Sequence, residues 1–281
     1  MTKKTGYLIF RKEYLKSDLI CGYIFIFASE MNDFKRYFIE LAYNGTNYHG
    51  WQMQKNAVSV QEKLQESLSL LFRKPIGIMG SGRTDTGVHA KQQFAHFDFD
   101  GEMRKGEFLK RINGLLPGDI AVFDVSPVTH KAHARFDATW RRYEYHITFR
   151  KDPFQTGKAW HCYYDLDVSK MESVSKLLLG YQNFECFSKT KTDVKSFDCE
   201  IKEAFWEQTS HGLIFHIKAN RFLRGMVRAI VGTLIKVGRD QLDKEQFVSI
   251  IVGKDRSRAG IAAPAHGLYL SEVNYPEIIF K

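Results

Sequence analysis

Apolar residues recur at two spacings along this chain, and the switches between them lay out its elements. Tyr37, Ile39, Leu41 and Tyr43 fall on every second position, which predicts a strand ending at the Asn44-Gly45 turn signal. Val60, Leu64, Leu68, Leu71 and Phe72 share one helical face. Ser59 and Glu62 supply a capping box ahead of them, and Pro75 follows the helix end. Ile76, Ile78 and Met79 then precede a polar, glycine-rich loop, and Gln93 to Phe99 reads as the strand beyond it. A helix around Glu107 to Leu115 breaks at Pro117-Gly118, and Ile120 to Val125 is a strand. The order strand–helix–strand–strand–helix–strand resembles one ferredoxin-like unit.

The second half repeats the kind of element without repeating sequence. His130 to Ala138 reads as the crossover, which divides the chain into halves of residues 34–133 and 134–281. Tyr143, Tyr145, Ile147 and Phe149 alternate with Glu144, His146, Thr148 and Arg150. A helix is expected over Val168 to Leu179, a strand over Glu200 to Glu207, and a second strand where Leu213, Phe215, Ile217 and Ala219 alternate. A long helix is expected from Phe222 to Val237, a short one from Lys244 to Val252, and a closing strand over 268–274. The fold class is α+β with much antiparallel sheet.

Composition adds a direction. The chain has 281 residues, 44% of them hydrophobic, which is enough for a real core in one large domain or two similar halves. The formal charge of +9 favours a polyanionic partner, most commonly nucleic acid, although a basic surface serving solubility would give the same number. Cys21, Cys162, Cys186 and Cys199 form no C-x-x-C pair; they read as scattered reduced thiols, which suits a cytoplasm. His130 and His133 make an H-x-x-H with no cysteine or acidic partner at ligand spacing, so no metal site is expected. Residues 1–33 read as an extension. Five basic residues precede the apolar run Leu19 to Ala28, which is too short for a membrane-spanning helix. Glu30 and the lack of a small-x-small site weaken a signal-peptide reading, and the preferred reading is that translation begins at Met31.

Three places could carry chemistry. In the loop Gly80-Ser81-Gly82-Arg83-Thr84-Asp85-Thr86-Gly87-Val88-His89-Ala90, glycines imply a constrained turn, and an arginine and a carboxylate stand two residues apart. No Gly-Lys-Ser/Thr follows, and no strand–helix unit surrounds it, so it is neither a Walker loop nor a dinucleotide fingerprint. An Asx-turn with a surface ion pair explains it as well as a presented nucleophile or base does. Arg135, Arg141 and Arg142 precede Tyr143, whose ring either packs in the core or stacks on a base, with phosphate nearby. In the expected helix from Phe222, Arg221, Arg224 and Arg228 would share one face. A helix this apolar is largely buried, so an arginine on it needs a carboxylate, and Asp85 is a candidate partner for Arg228.

Five motifs stand in one order. They are Leu41-x-Tyr43-x-Gly45-x-x-Tyr48-x-Gly50-Trp51-Gln52-x-Gln54, Gly82-Arg83-Thr84-Asp85-x-Gly87-Val88-His89-Ala90, Ala134-Arg135-Phe136-x-Ala138-Thr139-x-Arg141-Arg142-Tyr143, Met226-Val227-Arg228-x-Ile230-Val231-Gly232 and Ala263-Pro264-Ala265-x-Gly267-Leu268. Together they resemble the tRNA pseudouridine synthase A family over about residues 36–275. Ser81 and Thr86 stand where that family often has alanine. The resemblance implies the pseudouridine synthase fold, two ferredoxin-like halves sharing a mixed, mostly antiparallel sheet with a central cleft. It implies a cytoplasmic homodimer acting on uridine at the 3′ side of the tRNA anticodon stem-loop (tRNA positions 38, 39 and 40), with no cofactor, metal or membrane.

By the same resemblance Asp85 is the nucleophile; whether it attacks the sugar or the base, or removes a sugar proton, stays open. Arg83 fills the gap left by a flipped base, Tyr143 stacks on the uracil, Arg228 pairs with Asp85, and Arg135 and Arg142 bind substrate phosphates. Flipping costs on the order of a few kcal/mol. Two other classes fit the same residues: a catalytically silent RNA-binding protein, against which intact Asp85, Arg83 and Tyr143 argue, and a base-exchanging transglycosylase, which would release free base.

Overall fold

The structure is a computed structural model that describes residues 34–190 and 194–280. The expectations for residues 1–33, Cys21 among them, lie outside the described residues. Strand β1 (Lys35–Tyr43) points Tyr37, Ile39, Leu41 and Tyr43 into the main core. Helix α1 (Val60–Phe72) covers them with Val60, Leu64, Leu68 and Leu71. Its capping box is formed: Glu62 N–H donates to Ser59 Oγ and Ser59 N–H to Glu62 Oε2, both at 3.2 Å. Phe38, on the other face of β1, is also buried, in a small second core with Val128, Ala132, Ala134 and Ile279.

The remaining elements follow the expected order. They are β2 (Met79–Gly80), β3 (His89–Phe99), α2 (Lys105–Leu115), β4 (Ile120–Val128), β5 (Trp140–Thr148), β6 (Trp160–His161), α3 (Val168–Ser175), β7 (Ile201–Thr209), β8 (Gly212–Ala219), α4 (Met226–Gly238), α5 (Lys244–Gly253) and β9 (Leu268–Asn274). Three expectations need correction. The third helix gives way to a 3-10 turn over Lys176–Gly180. Strand β3 starts at His89, inside the expected loop. Helix α4 starts at Met226, not Phe222, because Gly225 adopts φ +72° at its N-cap. Arg221 and Arg224 therefore precede the helix and do not share a helical face with Arg228.

One mixed sheet holds the chain together, in the order β4-β1-β3-β9-β5-β8-β7. Neighbours along it are antiparallel except β3 and β9, which run parallel. That central contact is short: His89 faces Tyr269 and Ala90 faces Leu270. Farther along β3, its edge is taken instead by β2, at Met79–His96 and Gly80–Ala95. The two strands diverge between these contacts, and a side chain spans the gap: Val273 N–H donates to Gln92 Oε1 at 2.8 Å. The glycine-rich loop connects β2 to β3 beside this fork in the sheet. Among the described residues no helix is long and apolar enough to cross a membrane.

Candidate active site

The loop from Ser81 to Val88 is pinned along its whole length. At its start Ser81 N–H donates to Phe94 O at 2.7 Å, and Ser81 Oγ bonds Gln93 Oε1. In its middle the Thr84 and Tyr43 hydroxyls lie 2.9 Å apart, and Trp51 N–H reaches Thr84 O at 3.3 Å. At its end Gly87 N–H donates to Tyr48 O at 3.2 Å, and Val88 N–H closes a turn onto Asp85 O at 3.1 Å. His89 then locks the exit. Its Nδ1 accepts from Gly45 N–H and its Nε2 donates to His266 O, both at 3.0 Å, which fixes a neutral ring whose pKa burial lowers. A carboxylate on so constrained a loop is preorganised rather than searching for its geometry.

The loop also lies against the neighbouring turn, which sets a strict demand at Gly50. Gly50 has φ +85°, and a Cβ there would stand 2.3 Å from Thr84 O. Gly50→Ala is expected to destabilise the protein by about 2 kcal/mol or more. It should lower turnover further, because the added Cβ presses on Thr84 O and the Asp85 backbone of the loop. A melting curve, with kcat measured well below the midpoint, checks both parts.

Asp85 faces two arginines. Arg228 Nη1 lies 3.4 Å from Asp85 Oδ2, and Arg224 Nε lies 3.9 Å from Oδ1. Arg228 is itself held by the segment before β9: its Nε donates to Ala263 O at 2.7 Å, and Ala263 N–H returns a bond to Arg228 O at 2.9 Å. The pairing expected from sequence is present, and Arg224 joins it from outside the helix. Tyr143, on β5, is buried against Phe222 with ring centroids 5.0 Å apart. Burial pushes its phenol up to about 12, with the nearby Arg141 pulling down and Asp85 pushing up. The phenol is therefore protonated at neutral pH and offers a donor. Arg83 is exposed and has no hydrogen bond or ion pair among the described residues. Arg135 is exposed as well, with its guanidinium 5.6 Å from the Phe136 ring centroid.

Arg142 is the expected site residue that the structure does not bring to this cluster. Strand alternation turns it away from Tyr143, and it binds Glu203 at 2.8 Å and Glu272 at 3.1 Å. With both its neighbours anionic, it is committed to a network on the opposite face of the sheet and leaves the proposed phosphate contacts.

Arg141, to which the sequence assigns no role of its own, is the most connected side chain of the site. Nη1 donates to Ala138 O at 3.3 Å and Asn220 O at 3.1 Å, and Nη2 to Ser81 O at 3.0 Å and Arg135 O at 2.8 Å. One guanidinium thus ties together the loop of Asp85, the crossover carrying Arg135, and the exit of β8 towards Arg224. Burial lowers its pKa, and among the described residues no carboxylate pairs with it. Spacing alone could not separate Arg141 from Arg142; only the face of β5 does. No group of three or more His, Cys, Asp or Glu side chains among the described residues is placed to hold a metal ion.

Comparison with known proteins gives this geometry a family. A family model described as tRNA pseudouridine synthase matches residues 174–276. A tRNA pseudouridine synthase A of Parabacteroides distasonis is 48% identical over 247 residues, covering 88% of this chain and 98% of the relative. One from Porphyromonas gingivalis is 49% identical over 250 residues, covering 87% and 99%. One from Thermoanaerobacter pseudethanolicus is 39% identical over 244 residues, covering 84% and 98%. At such identities over nearly the whole length of each relative, the chain belongs to the tRNA pseudouridine synthase A family.

Proposed function

We propose that this chain converts uridine to pseudouridine in the anticodon stem-loop of tRNA, with Asp85 as the nucleophile. The observation that carries the reading is the Asp85 carboxylate, held on a pinned loop between β2 and β3 and faced by Arg228 and Arg224. The reaction breaks N1–C1′, turns the uracil and joins C5 to C1′. N1 gains a proton and C5 loses one, so atoms balance without a cofactor. Arg228 is the counter-charge that orients the carboxylate. Arg83, free and exposed beside Asp85, fills the space that the flipped uridine leaves. Tyr143 supplies a ring for the uracil to stack on and a hydroxyl to hydrogen-bond it. Arg135 binds phosphate, so its loss should weaken binding and flatten the salt dependence.

Strand order supports reading residues 34–133 and 134–281 as two ferredoxin-like halves. Corresponding strands follow one another as β4-β1-β3-β2 in the first and β9-β5-β8-β7 in the second. The family resemblance supports a cytoplasmic homodimer in which one tRNA touches both subunits.

Tritium release from C5-labelled uridine in unmodified tRNA tests the reaction, since forming C5–C1′ expels the C5 hydrogen. Release without free uracil is the expected outcome. Binding without release would mean an RNA-binding protein, and free uracil would mean a transglycosylase.

A further inference from the structure

A column of aromatic rings runs from the second core out to the surface. Phe38 lies 6.1 Å from His96 between ring centroids, with 25° between their planes. His96 meets His133 edge-on at 4.7 Å, and His133 meets Phe136 at 4.3 Å. Phe136 ends the column and is 73% exposed. A single exposed phenylalanine means little by itself. The turn that carries this one sets it apart.

That turn is rigid. His133 N–H donates to Asp137 Oδ2 at 2.7 Å, and Asp137 N–H to His133 O at 3.0 Å. The N–H groups of Arg135 and Phe136 both donate to His133 Nδ1, at 3.1 and 3.3 Å. An imidazole accepting two such bonds is unprotonated at Nδ1, in keeping with the downward shift that burial and Arg36 impose on it. Below the turn, the Tyr275 hydroxyl donates to Ala134 O at 2.5 Å. A ring fixed in this way has little freedom left to lose on contact with a partner.

Charge and position narrow the partner. Arg135, next to Phe136, and Lys131, five positions before it, are exposed, while the Asp137 carboxylate on the other side is engaged by His133 N–H, so the free charges near the ring on the chain are cationic. Arg141 Nη2 touches both Arg135 O and Ser81 O, which sets the turn against the foot of the loop bearing Arg83 and Asp85. A flat apolar face in a cationic setting beside this site suits the π-face of a base on a phosphate backbone.

We propose that Phe136 is the stacking platform for an unpaired base of the RNA substrate, next to the uridine that reaches Asp85. The proposal rests on the synthase reading above. Withdrawing one uridine uncovers neighbouring bases on both sides; Arg83 occupies the gap itself, and the aromatic column supplies a further surface for an adjacent unpaired base.

The test compares full-length wild type with Phe136→Ala, Phe136→Leu and Phe136→Trp on unmodified tRNA transcript carrying C5-tritiated uridine. Phe136→Ala should raise KM about 5- to 150-fold, the range for losing one base–aromatic stack, with the larger part of the loss in KM rather than kcat. Phe136→Leu should be as poor as alanine, because it restores apolar area without a π-face, and Phe136→Trp should hold KM at or below the wild-type value. A 2-aminopurine beside the target uridine should be quenched in the wild-type complex and bright in the Phe136→Ala complex. A wild-type KM in Phe136→Ala, or full rescue by leucine, overturns the platform. Turnover by the wild type keeps the readings apart. Equal KM in two active proteins removes the platform alone, whereas an inactive wild type removes the synthase reading first.

Discussion

An Asp85→Asn protein is expected to release no measurable tritium from C5-labelled uridine in tRNA, a loss on the order of 10⁴-fold or more in turnover. Asparagine keeps the size of the side chain, and its single amide oxygen can still accept from Arg228, but its amide is neither a nucleophile nor a base. Little else should change. The Asp85 side chain is 33% exposed, and its arginines stand at 3.4 and 3.9 Å, so the pair contributes no more than about 1 kcal/mol to folding. Arg228 keeps its bond to Ala263 O whatever stands at 85. The melting temperature should therefore stay within about 4 °C of wild type. Affinity for tRNA should hold or rise, because one negative charge leaves a site where Arg224 and Arg228 remain to attract a polyanion. Turnover above a tenth of wild type would remove Asp85 from the centre of the chemistry.

Much of this was legible in the sequence, and the reasons are local. The period-two burial of β1 and the capping box of α1 each depend on a few neighbouring residues, and both formed as read. Burial logic required an anion for an arginine on so apolar a helix and left Asp85 as a candidate, and the two side chains stand 3.4 Å apart. What failed was what only tertiary contacts decide. Gly225 starts α4 four residues late, because a glycine ahead of an apolar run serves as an N-cap as readily as a helical residue. Arg141 and Arg142 are adjacent and identical in type, yet one faces four carbonyls and the other two carboxylates. Strand phase was readable from Tyr143 and Tyr145, but what waits on each face was not. The β3–β9 contact joins residues about 180 positions apart through two register pairs, and no local pattern announces it.

Arg141→Met is expected to cost both stability and turnover, and Arg141→Lys to separate the two. Methionine fills the space of the aliphatic stem but leaves four carbonyls without their donor. Water can reach some of them, since the residue is only half-buried, so the loss should be about 3 kcal/mol rather than the sum of four full penalties. That corresponds to a melting temperature lower by about 6–12 °C for a chain of this size. The effect on turnover has a different origin. Ser81 O anchors the start of the Asp85 loop, Asn220 O anchors the segment leading to Arg224, and Arg141 sits close enough to Tyr143 to pull its phenol pKa down. Losing the guanidinium frees the loop from the arginines it faces, so kcat should fall about 100-fold even where the protein is fully folded. Lysine keeps the charge and part of the stability. A single ammonium cannot reproduce a planar fork reaching four acceptors, so turnover should stay low. Recovery of kcat in step with melting temperature would reduce Arg141 to a folding residue, and its hold on the loop would then carry no catalytic weight.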